Sequence, residues 1–345
     1  EYISEMIELI EDLISKNHAY EKNGHVLFHV PSYENYGKLS KRNRDEQIAG
    51  SRVEVAPFKK DPADFVLWKP SNDEQPGWNS PWGYGRPGWH TECSAMSEKT
   101  LGLPFDIHGG GRDLTFPHHE NEIAQSCCSS AGTSDPKSYV NYWMHNGFVT
   151  VNGEKMSKSL GNISLVKDLT EDNHGEVIRL SLLSSHYRQA LDWNDKVVHQ
   201  AKKLLDKLYK VLSDLKDIKP SEINESSMSI ISPLLDDLNT PGLLANLNKM
   251  IKELKNISDK DLPEFKSKLL LVNELMGICQ EDYLDWFNHD KEGLDTNMID
   301  ALILERLDAK KNKNFDKADS IRQQLLDMNI EIKDTESGTD WTLKV

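Results

Sequence analysis

At 345 residues, 37% hydrophobic and 28% charged, the chain is long enough for two or three domains and polar enough for long solvated helices. It contains no apolar run of bilayer length and reads without a secretory signal, so a helical membrane protein is excluded; a formal net charge of −15 argues against a protein that coats nucleic acid indiscriminately. Four cysteines, two of them adjacent at Cys127 and Cys128, do not form a disulfide framework and point to a reducing cytoplasm.

Taken in order, the first 16 residues form an amphipathic helix, with Ile3, Met6, Ile7 and Ile10 on one face. That periodicity is under way at Glu1, so the sequence reads as starting inside a helix with an N-terminal segment missing. Asn23-Gly24 marks a hairpin between Tyr20 and the alternating run from His25 to Val30. Asp61 to Lys69 carries the apolar Phe65, Val66, Leu67 and Trp68 as a short structured segment. The Trp, Pro and Gly stretch from Pro76 to Trp89 reads as irregular loop. From Pro87 to Gln125 the pattern is helix, apolar strand (Phe105–His108), a loop at Gly109-Gly110-Gly111, then helix, as an α/β sheet needs. Phe148 to Val151 is a further strand, turning at Asn152-Gly153. After Asp192-Trp193 the chain is almost wholly helical, with one helix capped by Asn239 ahead of Thr240-Pro241. A last helix near Asp316–Met328 gives way to an alternating tail with a turn at Gly338.

Three stretches carry chemistry. Lys155-Met156-Ser157-Lys158-Ser159 places two lysines and two hydroxyls on a Gly-flanked loop after a strand, where they can meet charge building on phosphate oxygens. An exposed lysine pair on a turn is the bland reading. His118 and Glu122 are spaced i, i+4 and share a helix face, and with Cys93 upstream they make three competent zinc ligands. His119 and Glu120 compete for the same roles, and spacing does not choose. Asp106-Ile107-His108-Gly109-Gly110-Gly111-Arg112-Asp113 combines glycines that admit a ligand to the backbone with an Asp that can hold a ribose hydroxyl.

In combination, GRPGWHTECSAM, FDIHGGGRDLTFPHHENEIAQS, YWMHNGFVTVNGEKMSKSLGN and DPADFVLWK resemble the cysteinyl-tRNA synthetases, of class I. The resemblance runs over essentially the whole chain and is strongest from Pro81 to Asn162. It implies an α/β fold: a partial Rossmann-type class I synthetase catalytic domain with a connective insertion, followed by an all-α helical bundle and a small C-terminal module. Residues 1–78 would be the insertion, 79–162 the second half of the catalytic domain, 163–193 a stem-contact region, 194–296 the tRNA-binding bundle and 297–345 an anticodon-recognition module. The resemblance implies one Zn²⁺ held by Cys93, His118 and Glu122, with Trp89 lining the cysteine pocket and His108 in the active site. Gly111 and Asp113 would lie against the adenosine ribose, and Lys158, assisted by Lys155, would contact the phosphates of ATP, which arrives with Mg²⁺. The cysteine carboxylate would attack the α-phosphate, and the terminal ribose hydroxyl of tRNA(Cys) would then attack the adenylate.

Zinc has a rationale of its own. An apolar pocket separates near-isosteres such as cysteine and serine by only about 10²-fold, whereas a thiol ionises more readily than an alcohol and metals bind the thiolate. The chain departs from the family in having no HIGH-type motif and no early cysteine ligand, so on this reading it has no adenylation activity by itself. Lys310, Lys311, Lys313, Lys317 and Arg322 form a local basic excess toward tRNA, and Trp341 either stacks on a base or anchors the tail. A cytoplasmic monomer is expected. A zinc ligase joining cysteine to an aminosugar lacks the segment from Ile303 to Val345, and a non-catalytic paralogue would be expected to lose the ligands or the lysine loop.

Overall fold

The computed structural model describes residues 1–345 apart from 44, 47, 49–57, 131, 158, 290–295, 329, 336–337 and 344–345. They divide into two compact units, Glu1–Phe148 and Val149–Val345.

In the first unit, helix α1 (Ile3–Ser15) buries Met6, Leu9, Ile10 and Leu13 along one stripe, as its periodicity requires. Asn23-Gly24, both at positive φ, turn β1 (Ala19–Lys22) into β2 (His25–Phe28). With β3 (Phe65–Pro70) and β4 (Gly85–Pro87) these strands form an antiparallel sheet in chain order. The stretch from Pro76 to Trp89 is therefore not wholly irregular: Gly85, Arg86 and Pro87 pair with Pro70, Lys69 and Trp68. β4 is an edge strand, where a proline without an N–H is tolerated.

Helix α2 (Trp89–Leu101) leads to β5 (Phe105–Gly111), a single 3₁₀ turn at Arg112–Thr115, helix α3 (His118–Cys128) and β6 (Val140–Asn146). β5 and β6 run parallel, the strand–helix–strand crossover of an α/β fold. Gly109, Gly110 and Gly111 prolong β5, opposite Met144, His145 and Asn146, rather than opening a loop after it. The core joins α1, the antiparallel sheet and α3 through Val26, Phe28, Trp68, Ile123, Ala124 and Cys127. Cys127 and Cys128 are buried, as small apolar side chains.

In the second unit β7 (Val149–Val151) turns at Asn152-Gly153 into β8 (Glu154–Lys155) and pairs in parallel with β9 (Leu191–Trp193). Helices α4 (Val166–Asp172) and α5 (Gly175–Leu183) lie between β8 and β9 in sequence. A bundle follows: α6 (Asp195–Asp214), α7 (Thr240–Glu253), α8 (Leu262–Met276) and α9 (Tyr283–His289), around Leu205, Leu208, Leu243, Leu247, Leu269 and Trp286. Asn239 caps α7 by accepting from the Gly242 N–H at 2.9 Å, with Pro241 in the first turn. Helices α10 (Thr296–Lys311) and α11 (Phe315–Asp327) and the hairpin of β10 (Ile330–Thr335) and β11 (Gly338–Leu343) share a separate core of Ile299, Ile303, Ile321, Leu325 and Ile330. Among the described residues, no helix is long and apolar enough to cross a membrane.

Candidate metal centre and lysine loop

Cys93 lies in the second turn of α2, and His118 and Glu122 occupy successive turns of α3. The two helices are locked by Gln125, which accepts from Ser94 Oγ at 2.6 Å and donates to Thr91 Oγ1 at 3.5 Å, all three being buried. The lock brings one ligand atom from each of Cys93, His118 and Glu122 within 4.8 Å of the others. Glu122 is fully buried, His118 nearly so, and Cys93 half-buried.

The local electrostatics fit a cation. Glu122 Oε1 stands 2.7 Å from His118 Nε2, yet it has no hydrogen-bond partner, because the two groups are close without a donor aimed at the oxygen. A buried carboxylate oxygen left without a donor is costly unless something positive shares its site. Burial pushes the Glu122 carboxyl up, but the His108 and His118 side chains outweigh it and bring it down to about 2. Burial, with Glu122 beside it, pushes the Cys93 thiol up to about 12. A divalent cation among these atoms would reverse that sign, since a coordinating thiol is deprotonated. Thiolate, imidazole and carboxylate form the donor set of zinc sites, three protein ligands being the pattern that leaves a position open.

The second layer orders the first. His118 Nδ1 lies 2.7 Å from His90 Nδ1. Burial, and His118 next, bring the His90 pKa down to about 4. With His90 neutral, the tautomer in which His118 donates its Nδ1 proton to His90 is the one that leaves Nε2 free for a metal. Trp89, 61% exposed, places its ring 4.3 Å from that of His118. His108 Nε2 is 3.1 Å from Glu122 Oε2, and the Tyr139 hydroxyl approaches the same oxygen at 3.5 Å.

The choice that spacing leaves open, His118 or His119, is thus met by both. His119, His108 and Glu122 also have ligand atoms within 4.8 Å of one another. His119, however, lies against Trp143, and its Nδ1 is 2.8 Å from His145 Nε2. Only His118 shares its cluster with the thiol. Glu120 faces away, accepting from the Gly37 and Ser40 N–H groups at 3.0 and 2.6 Å. Gly110 stands in a tight place: a Cβ there would lie 3.0 Å from both the His119 ring and Leu114. At Gly111 an added Cβ would meet Asp113 Oδ1 at 2.5 Å, because that carboxylate folds back beneath it.

The lysine loop is built differently. Lys155 ends β8 and is exposed, and Lys158 lies outside the described residues. Asn162 accepts from the Ser157 N–H at 2.8 Å and donates to the Lys155 carbonyl at 3.2 Å, closing the loop on itself. The Asn152-Gly153 turn is pinned by Asp192, which accepts from the Gly153 N–H at 2.6 Å and Thr150 Oγ1 at 2.8 Å. These bonds, with one from Asn194, hold the Asp192 carboxyl below its ordinary range. In the C-terminal module Trp341 joins the small core and its Nε1 donates to Asp300 at 3.3 Å; Lys310 and Lys317 pair with Asp334 and Glu305.

Sequence reasoning passed over His90, Tyr139, Trp143, His145 and Asn162. His90 had one available signal, a ring directly beside Trp89 and three residues before Cys93. Tyr139 had none, since it stands just ahead of β6 and only the parallel crossover brings it to the site.

Residues 1–203 match the family model of the tRNA synthetases class I (C) catalytic domain. The cysteine–tRNA ligase of Parvibaculum lavamentivorans is 50% identical over 345 residues, covering 99% of this chain and 73% of that protein. Those of Xanthomonas campestris pv. campestris and Rhodospirillum rubrum are each 49% identical, over 99% of this chain and 73% and 74% of theirs.

Proposed function

The chain belongs to the class I cysteine–tRNA ligases, which use ATP to join cysteine to its tRNA, and we propose that Cys93, His118 and Glu122 hold the zinc ion on which cysteine is chosen. The observation that carries this reading is the buried Glu122 Oε1, without a donor between an imidazole and a thiol. Bound there, Zn²⁺ would favour a thiolate substrate over the hydroxyl of serine.

The chain's own residues do the rest. His90 holds the tautomer of His118. Trp89 offers an exposed ring beside His118 as one wall of the amino-acid pocket. His108 orients Glu122 from the open side. Gly111 and Asp113 receive the adenosine ribose, and Lys158 with Lys155 meets the phosphates of ATP and its Mg²⁺, where charge builds as pyrophosphate leaves. Asn162 sets the shape of that loop. The helices α6 to α9 and the module from α10 to β11 take tRNA(Cys). Residues 1–78 act as an insertion ahead of the catalytic half at 79–162, and residues 163–193 as the stem contact. We place the enzyme in the cytoplasm as a monomer, an environment that keeps its four unpaired cysteines reduced.

Metal analysis of the purified chain tests the reading, with about one zinc per chain expected and near none in Cys93→Ser or His118→Ala. An active enzyme free of zinc that still prefers cysteine to serine would end it.

A further inference from the structure

Helix α3 carries two metal ligands at its very start, where a helix frays most easily and has four backbone N–H groups without helical partners. Its N-cap position is Pro117, which provides no side-chain cap. Glu120, three residues on, occupies the place from which a capping-box carboxylate would reach back to the N-cap N–H, and proline has none to offer. Glu120 instead reaches outward. Turned by roughly 200° from both His118 and Glu122 on the helix, it is 1% exposed and accepts from the Gly37 and Ser40 N–H groups. Beside it, Asn121 Oδ1 accepts from the Tyr36 hydroxyl at 2.5 Å. The Tyr36 ring meets Phe116 edge-on at 6.3 Å, and the Arg42 guanidinium lies 4.6 Å from the Phe116 ring. Gly37 has φ +93°, so the turn that aims both N–H groups at one carboxylate needs a residue without a side chain.

We infer that the turn from Tyr36 to Ser40 is a positioning brace for the metal centre: through Glu120 and Asn121 it anchors the uncapped start of α3 and fixes the angle at which His118 and Glu122 face Cys93. The inference rests on the zinc reading above and extends it to residues some eighty positions upstream in sequence. Glu120, Asn121 and Tyr36 are positioning residues, acting through the helix that carries the ligands.

The rate at which zinc passes from the full chain to a chromogenic chelator, measured well below the thermal midpoint, tests it. Glu120→Gln, which keeps the shape but replaces one acceptor oxygen with a donor, should release zinc about ten- to a hundredfold faster, the range for partners that orient metal ligands. Tyr36→Phe removes one hydroxyl, leaves its ring packing and should release zinc several-fold faster, deciding the matter alone if Glu120→Gln does not fold. Tyr20→Phe is the control. Its hydroxyl donates to Asp64 at 2.7 Å, so it should release zinc at the parent rate whatever it does to the melting temperature. Parent-like release from both folded brace variants overturns the inference while leaving the zinc site standing, as does equal acceleration in the control. A parent chain that takes up no zinc removes both readings together.

Discussion

The two units each bury a glutamate beside a cysteine and a tyrosine, and the two sites have opposite characters. In the second unit Glu176, on α5, accepts from the Cys279 and Gln280 N–H groups at 2.8 Å each and from the Tyr209 hydroxyl at 3.1 Å. Both oxygens have donors, and the nearby Cys279 thiol is pushed up by burial and by that carboxylate. In the first unit Glu122 has the same neighbours in kind, Cys93 and Tyr139, but two imidazoles replace the backbone donors and one oxygen has none. Burial and residue type therefore do not mark a metal site. The difference is that Glu122 is met by side chains able to ligate a metal, where Glu176 is met by backbone N–H groups. Glu176 is held by two backbone N–H groups and a tyrosine hydroxyl, and on the zinc reading Glu122 is completed by the ion.

That contrast can be broken in four ways. The largest effect should come from Cys93→Ser or His118→Ala, which remove a ligand and should lower zinc affinity by at least a hundredfold, read by competition with a chelator; unchanged affinity would place the ion elsewhere. Glu176→Ala should leave zinc content untouched but orphan three donors, lowering the stability of its unit by about 3 kcal/mol in denaturant titration. Zinc loss in that variant would erase the distinction between the two carboxylates. Asn162→Ala, which frees the lysine loop, should slow ATP–pyrophosphate exchange about tenfold, with little change in the KM for cysteine, in an enzyme that also carries the HIGH-type motif. An equal loss in cysteine KM would show that the loop does not act on ATP alone.

The smallest effect concerns a satisfied but exposed carboxylate. Arg306 donates to both oxygens of Asp334 at 2.8 and 3.1 Å, and Lys310 and Thr339 add bonds of 2.7 and 2.8 Å. Arg306 first, then Lys310 and Thr339, holds the Asp334 carboxyl well below the usual carboxylate range. A depressed carboxyl stabilises the fold above its unfolded pKa, near 4, and that contribution disappears as pH falls through the folded value. Asp334→Asn should thus lower the stability of the C-terminal module by about 1 kcal/mol at neutral pH, screened because the aspartate is 42% exposed. The gap between variant and parent should close on acidification well below pH 4, as followed by Trp341 fluorescence.

Much of the fold was legible along the chain. The periodicity of α1, the Asn23-Gly24 and Asn152-Gly153 turns, the Asn239 cap and the Gly338 hairpin are local signals, and local geometry answers them. Gly109 to Gly111 misled because glycine has no side chain through which a strand can announce itself. Those residues are extended because β6 provides a parallel partner and the His119 ring needs the space at Gly110. β4 was hidden for a related reason, being three residues long and held only from the edge.

The candidate site divides in the same way. Spacing by itself established that α3 would carry a histidine and a glutamate on one face, and that a hydroxyl- and lysine-rich loop would follow a strand, because i, i+4 and turn geometry are properties of the backbone. Tertiary structure alone decided that His118 rather than His119 shares the thiol, that Glu120 turns to Gly37 and Ser40, and that His90 meets His118 at Nδ1. Those outcomes depend on how α2, α3 and β6 pack, and a hydrogen bond between residues 28 or 83 positions apart has no period for a sequence to display.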